Sequence, residues 1–241
     1  MELALKTWTQ IDQYLQSSKT LIIPVGSTEQ HGPTGLIGTD FITAFEISKM
    51  VGAKTKRLVA PSLNYGMANH HLAFAGSASL NPSTYILVIK DLVESWKMQG
   101  FKNFLFINGH GGNIAPLTSS FSEIKRGDET SKFSLINWWH LKVVQDYESK
   151  VFGEENGFHA TCGEVAVTQF FCPSAFKDIP KTQFKIEKPS NHWPLSSTEM
   201  RQFYPDGRMA SNPGLATPEH GQKIADLAAD HISEMLVNWG F

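Results

Sequence analysis

Four short runs rich in branched and aromatic residues, at 21–25, 57–61, 104–107 and 133–137, alternate along the chain with helical patterns. This alternation narrows the possible folds more than any other feature. Strands joined through helices run parallel, and a parallel sheet has to be covered on both faces. The expected fold is therefore α/β, a three-layer αβα arrangement with a mainly parallel sheet. The helices between the strands are marked at their ends. A helix over 7–17 carries Trp8, Ile11 and Leu15 at helical spacing. A second begins near Asp40, a suitable N-cap, with Phe41, Ala44 and Phe45 as its core face. Asn81-Pro82 starts a third, with Ile86, Ile89, Val93 and Trp96 on one face and Gly100 at its end. A further helical stretch runs to about Arg126. The last helix starts at Thr217-Pro218-Glu219 and presents Ile224, Leu227, Ala228, Ile232 and Met235.

With 241 residues, 41% of them hydrophobic, the chain can close one sizeable core, so a single domain over 1–241 is expected. Seven of its 12 prolines fall within 173–218. That stretch reads as an irregular arm that wraps the body or reaches a neighbouring subunit, with a flexible lid as the lesser option. A formal charge of -2 and the absence of a basic run argue against nucleic acid and anionic membranes as partners. The N-terminal residues lack a signal-peptide pattern, and no apolar run approaches the roughly 18 residues that span a bilayer. Cys162 and Cys172 form neither a disulfide framework nor a CxxC motif. The expected location is the cytoplasm.

Two loops carry most of the chemistry. Residues 26–40, GSTEQHGPTGLIGTD, follow the first strand and hold Glu29, His31 and Asp40 among glycines and a proline. Imidazole mixed with carboxylate suits borderline divalent metals. Glu29 and His31, two apart on extended backbone, point the same way, and the glycines let the loop return Asp40 to the same place. Residues 108–113, NGHGGN, follow another strand and put His110 between glycines. A glycine-rich loop at a helix start can also cradle phosphate, but this one fits neither GxGxxG nor the P-loop, so His110 is read as a ligand. Both loops leave carboxyl ends of strands, where ligands bind in open α/β sheets.

A third segment, HATCGE, offers His159 as a proton carrier and Glu164 as a further ligand. A Cys162–His nucleophilic pair is the alternative there. His70 and His71 belong to the same rim, one of them packed or solvated. His192, His220 and His231 are read as surface or helix residues, and Trp138 and Trp139 as core, with stacking of one of them on a flat ligand as the alternative.

Taken together, GSTEQHGPTGLIGTD, NGHGGN and the spacing from His159 to Glu164 resemble the creatininase (creatinine amidohydrolase) family, as does HHLAFAGSASL from His70 onward. The resemblance covers residues 20 to about 170. It implies a three-layer αβα fold, a homo-oligomer (often a hexamer), and a two-metal site that hydrolyses a C–N bond. It also implies two divalent ions, zinc first, with manganese or iron as alternatives. Glu29 and His110 would hold one ion, His31 the other, and Asp40 would bridge. Three departures stand out. Thr34 replaces a second histidine, Val165-Ala166 replaces Thr-Ser after Glu164, and Gly111-Gly112 replaces a Tyr-Glu pair whose Glu is a ligand in the creatinine-cleaving enzyme. The last argues against creatinine and leaves the second metal's carboxylate to Glu164. The implied activity is hydrolysis of a small cyclic amide or formamide by metal-activated water, with His159 carrying the proton. The alternatives are a peptidase-like member acting on a small peptide and, from another class, a Rossmann-like phosphate- or nucleotide-binding protein without metal.

Overall fold

The computed structural model describes residues 1–186 and 193–241; His192 lies outside them. Its sheet contains β1 (Thr20–Val25), β2 (Leu58–Val59), β3 (Asn103–Asn108) and β4 (Lys132–Asn137), all parallel, in the order β2-β1-β3-β4. The second strand is shorter than its apolar run. Only Leu58 and Val59 pair with β1, and Pro61 has no N–H to extend the ladder.

Eight α-helices are described: α1 (Trp8–Ser17), α2 (Thr39–Thr55), α3 (Pro82–Gln99), α4 (Ile114–Lys125), α5 (Lys142–Val151), α6 (Cys162–Phe171), α7 (Ser197–Phe203) and α8 (Pro218–Asn238). The period of two along the strands sorts their side chains between two cores. Leu21, Ile23, Val25, Phe104 and Phe106 face α1, α3 and α4, packing with Leu15, Tyr85, Ile89, Val93 and Leu117. Ile22, Leu105, Ile107 and Ile136 face the other way, onto Ile47 and Val51 of α2, Val167 of α6, and Ile224, Ala228 and Ile232 of α8. Full burial of each large apolar side chain contributes about 1.5–3 kcal/mol, so both layers are held firmly to the sheet. The expected stripe on α1 is narrower than its spacing suggests: Leu15 is buried, but Trp8 is 75% exposed. Trp8 is the first helical residue after the Thr7 cap, in the helix's exposed first turn.

The described residues of the proline-rich stretch pack on the same chain. Leu195, Met200 and Tyr204 close over Phe74, and Met209 bridges to His159. From β1 the chain moves to β2 on one side, then crosses back to β3 on the other. The crevice produced by this reversal opens at the carboxyl ends of β1 and β3. Among the described residues, no helix is long and apolar enough to cross a membrane.

Candidate metal centre

The ends of β1 and β3 are level, with Val25 opposite Asn108. The first turn of α2 lies directly across them. A Cβ on Gly109 would stand 2.1 Å from the Asp40 carbonyl oxygen, so this crossing requires glycine. Asp40 is thereby carried into the crevice. It is not the N-cap of α2, as the sequence suggested. Gly38 holds that position with no side-chain cap, which leaves the Asp40 carboxylate free for the site.

The two asparagines of NGHGGN brace the strand ends. Asn108 Oδ1 accepts from His110 N (3.0 Å), and its amide donates to Asn137 Oδ1 (2.8 Å). Asn113 donates to Gly26 O (2.9 Å) and accepts from Met67 N (3.1 Å). These groups are committed to the protein, and two buried carboxylates face the loop. Both facts disfavour the phosphate reading.

Glu29, His31 and Asp40 are each 1% exposed. His110 Nδ1 lies 3.2 Å from Glu29 Oε2 and 3.1 Å from Asp40 Oδ2, while His31 Nε2 lies 3.0 Å from Asp40 Oδ1. The other ring nitrogens fix the tautomers. His110 Nε2 is 2.9 Å from Met67 O, and His31 Nδ1 is 3.2 Å from Glu29 O, and a carbonyl can only accept. In the neutral rings, then, both inner nitrogens aim lone pairs at carboxylate oxygens. Something positive has to lie between them. Both Glu29 oxygens, Asp40 Oδ2 and His31 Nε2 are buried without a hydrogen-bond partner.

The electrostatics carry the same demand. Burial pulls His31 down, yet Asp40 outweighs it and lifts the ring to about 9. His110 is likewise raised well above the usual range, with Glu29 and Asp40 overcoming its burial. Burial pushes Glu29 up, but His110 and His71 hold it well below the usual carboxylate range. Protons thus take the places that a cation would occupy.

Ligand atoms converge in three sets, each within 4.8 Å: Glu29/Asp40/His110, His31/Asp40/Glu164 and Glu29/His31/His159. The third borrows Glu29 from the first and His31 from the second, so it adds His159 at their flank. This donor set fits divalent-cation chemistry.

Glu164 also has a structural task that its sequence context signals but the metal reading passes over. Its Oε2 accepts from Thr161 N (2.8 Å) and Thr161 Oγ1 (2.9 Å), closing a capping box at the start of α6. Gly112 explains why no carboxylate follows His110. A Cβ there would lie 2.1 Å from Met67 O, the acceptor of His110 Nε2–H.

His159 reaches the site from a loop tied down by the 207–212 segment. Ser211 Oγ donates to His159 O (2.8 Å) and Phe158 N donates to Met209 O (2.8 Å). Its Nε2 is 2.8 Å from Gln30 O, and its Nδ1 stands 3.8 Å from Glu29 Oε1. Burial, with His71 and His31 nearby, holds the ring well below the usual imidazole range, so it is neutral. Cys162 is not its partner. The thiol is buried, donates to Glu155 O (3.2 Å) and Asn212 O (3.1 Å), and is pushed up by burial to about 12.

His70 packs edge-on to Trp193 (4.8 Å between ring centres), whereas His71 Nε2 stands 3.3 Å from Glu29 Oε1. His220 lies away from the centre, bonded to Tyr147 (2.9 Å), and His231 is on α8. The cleft over the carboxylates measures about 290 Å³, with Trp139, Phe158, Trp193 and Met209 on its walls. Trp138 is fully buried core, while Trp139 is half-buried, packing against the same core and also lining the cleft. Gln30, Phe158 and Trp193 went unread in the sequence, and only Gln30, between two acid–imidazole residues, carried a signal.

Residues 4–236 match the family model described as "Creatininase: Creatinine amidohydrolase". The chain is 26% identical over 209 residues to a 3-dehydro-scyllo-inosose hydrolase of Thermotoga maritima, covering 84% of this chain and 62% of that protein. It is 32% identical over 116 residues to a mycofactocin precursor peptide peptidase of Mycobacterium tuberculosis, covering 44% and 46%. The matched stretches thus span less than two thirds of either relative. A mutant creatininase superposes with a TM-score of 0.83 at 19% identity over 98% of this chain and 96% of that one, which shows the shared fold. Related creatininase structures are described as a manganese form and a zinc–zinc type. With the family model spanning nearly the whole chain, this protein belongs to the creatininase family.

Proposed function

We propose that this chain is a metal-dependent hydrolase that cleaves a C–N bond of a small cyclic amide or formamide. The carrying observation is the pair of inward lone pairs, on His110 Nδ1 and His31 Nε2, set against the buried carboxylates of Glu29 and Asp40, of which both Glu29 oxygens and Asp40 Oδ2 lack a hydrogen-bond partner. Glu29, Asp40 and His110 would hold one ion, and His31, Asp40 and Glu164 a second, with Asp40 shared. Bound there, two divalent cations, zinc first and manganese or iron as alternatives, supply Lewis acidity and lower the pKa of water. Three carboxylates against two such ions leave about one positive charge, which suits an anionic nucleophile and a polarised carbonyl.

The protein's own part is to hold these groups in a buried crevice and to move a proton. His159, neutral and with Nδ1 turned inward, can take a proton and pass it to the leaving nitrogen. Trp139, Phe158 and Trp193 offer flat apolar walls to a ring. Metal analysis of the purified protein should find two equivalents of zinc, manganese or iron, and phenanthroline should abolish hydrolysis of the responsive lactam or formamide. A protein that takes up no metal overturns the reading.

A peptide substrate is the second reading. It is favoured by a larger cleft of about 810 Å³ that shares Trp139, Phe158 and Glu164 with the first and has room for a longer molecule. Cleavage of small peptides but not lactams would select it. Two further expectations stay proposals. Both cysteines are free, which supports the cytoplasm, and a homo-oligomer, a hexamer among the options, rests on the family resemblance. Light scattering of the purified protein tests the latter.

A further inference from the structure

Gln30 lies between Glu29 and His31, is 5% exposed, and turns its side-chain amide to His71, His159 and the Gly207 carbonyl. Its amide can be oriented without ambiguity. Oε1 accepts from Gly32 N (2.8 Å), so Nε2 is the donor end, and it meets the Gly207 carbonyl at 2.9 Å. The second donor contact of Nε2 is His71 Nδ1, also at 2.9 Å. An amide nitrogen has no lone pair to offer, so His71 Nδ1 has to accept. His159 Nε2 also approaches this nitrogen (3.0 Å), but its proton goes to the Gln30 carbonyl at 2.8 Å.

We propose that Gln30 is a positioning residue that fixes the tautomer of His71 and makes that ring a donor behind Glu29. With Nδ1 accepting, the proton sits on Nε2, the nitrogen 3.3 Å from Glu29 Oε1. That contact is then an N–H dipole facing a carboxylate. The other tautomer would set a lone pair against it. An Nε2–H nitrogen cannot ligate, so His71 orients a ligand without being one, in the manner of the outer partners that steady metal sites. The same amide ties the 207 segment to this rim, and the Gln30 carbonyl sets His159 to leave Nδ1 bare toward the cleft. One residue thus governs two rings. The tautomer assignment stands on geometry alone, while its effect on metal binding rests on the proposed function.

The test is ¹⁵N spectroscopy of protein labelled in its imidazole rings, with the His71 signal identified by its loss in His71→Gln. The wild type should show His71 protonated on Nε2 and bare on Nδ1, before and after zinc is added. In Gln30→Glu a carboxylate accepts where the amide donated, so His71 should gain a proton on Nδ1. In Gln30→Met neither preference remains, and zinc affinity should fall about tenfold or more. In the His71→Gln background, Gln30→Met should cost no further affinity. A wild-type His71 protonated on Nδ1, an unchanged His71 signal in folded Gln30→Glu, or additive losses would overturn the proposal, and the first needs no variant to fold. Wild-type protein with the expected tautomer but no zinc uptake would instead overturn the metal reading.

Discussion

The two sides of the centre are built in different ways. Glu29, His31, Asp40 and His110 hang from the ends of β1 and β3 and from the first turn of α2, positions fixed by the sheet register and a glycine-permitted crossing. His159 and Glu164 come from a loop and a helix start that depend on remote chain. Met209 and Ser211 hold His159, and Asn212 O accepts from Cys162 at the start of α6. A site assembled this way has a rigid half and a half that can be disturbed from a distance. The rigid half suits cation binding, where donor positions set affinity, while the dependent half brings Glu164 up to complete a second ligand set and His159 for proton transfer beside a changing substrate.

The most severe way to break this contrast is at Asp40, the residue common to both ligand sets. Asp40→Ala should lose both metals and all hydrolysis, with the fold kept, because Gly38 and not Asp40 occupies the N-cap of α2. Metal analysis of the folded variant checks it, and full retention would show that the rim does not hold the ions. Glu164→Gln probes the dependent half. A neutral amide oxygen ligates more weakly than a carboxylate, so one equivalent of metal should weaken selectively and activity should fall about tenfold or more. Glutamine also serves at N3 of a capping box, so the start of α6 should survive. Loss of both ions, or of neither, would remove the distinction between the halves.

A smaller effect is expected at Glu148, which is buried beside α6 and bonded to Asn156 (3.1 Å). Burial, with Glu164 adding to it, raises its carboxyl to about 8. The folded state then holds this proton more tightly than the unfolded chain does. Its contribution to stability is complete below an ordinary carboxyl pKa of about 4 and is lost as pH rises through about 8. Glu148→Gln should flatten that decline, on the order of a few kcal/mol at most, in melting curves taken from pH 4 to 9. An unchanged slope would mean that the carboxyl is hydrated. The smallest effect belongs to Cys162→Ser. A hydroxyl can donate its one proton to either of the same two carbonyls, so stability should change by about 1 kcal/mol and most activity should remain. Chelator-resistant hydrolysis abolished by this change would restore the nucleophilic alternative.

By itself the sequence determined the layered parallel fold, because a period of two inside strands and helical periods between them leave few ways to bury apolar side chains. It also determined which residue types crowd the strand ends. GSTEQHGPTGLIGTD and NGHGGN each lie within one loop, and strands in register deliver both to one rim. Tertiary structure decided the rest. Whether Asp40 caps its helix or faces the crevice depended on the crossing of α2 over Gly109, a contact between residues distant in the chain. The place of Glu164 beside His31 and Asp40 was expected from the family resemblance, while its capping box with Thr161, though written in the local sequence, was not read; only α6 brought against α2 lets one carboxylate face both. Cys162 beside His159 in sequence suggested a pair, and burial against Glu155 and Asn212 carbonyls removed it. His70 and His71 read alike as neighbours. One amide proton from Gln30, supplied across the fold, gives His71 its separate role. Local patterns carry residue identity and spacing, whereas hydrogen-bond direction, desolvation and close backbone approach exist only once distant segments meet.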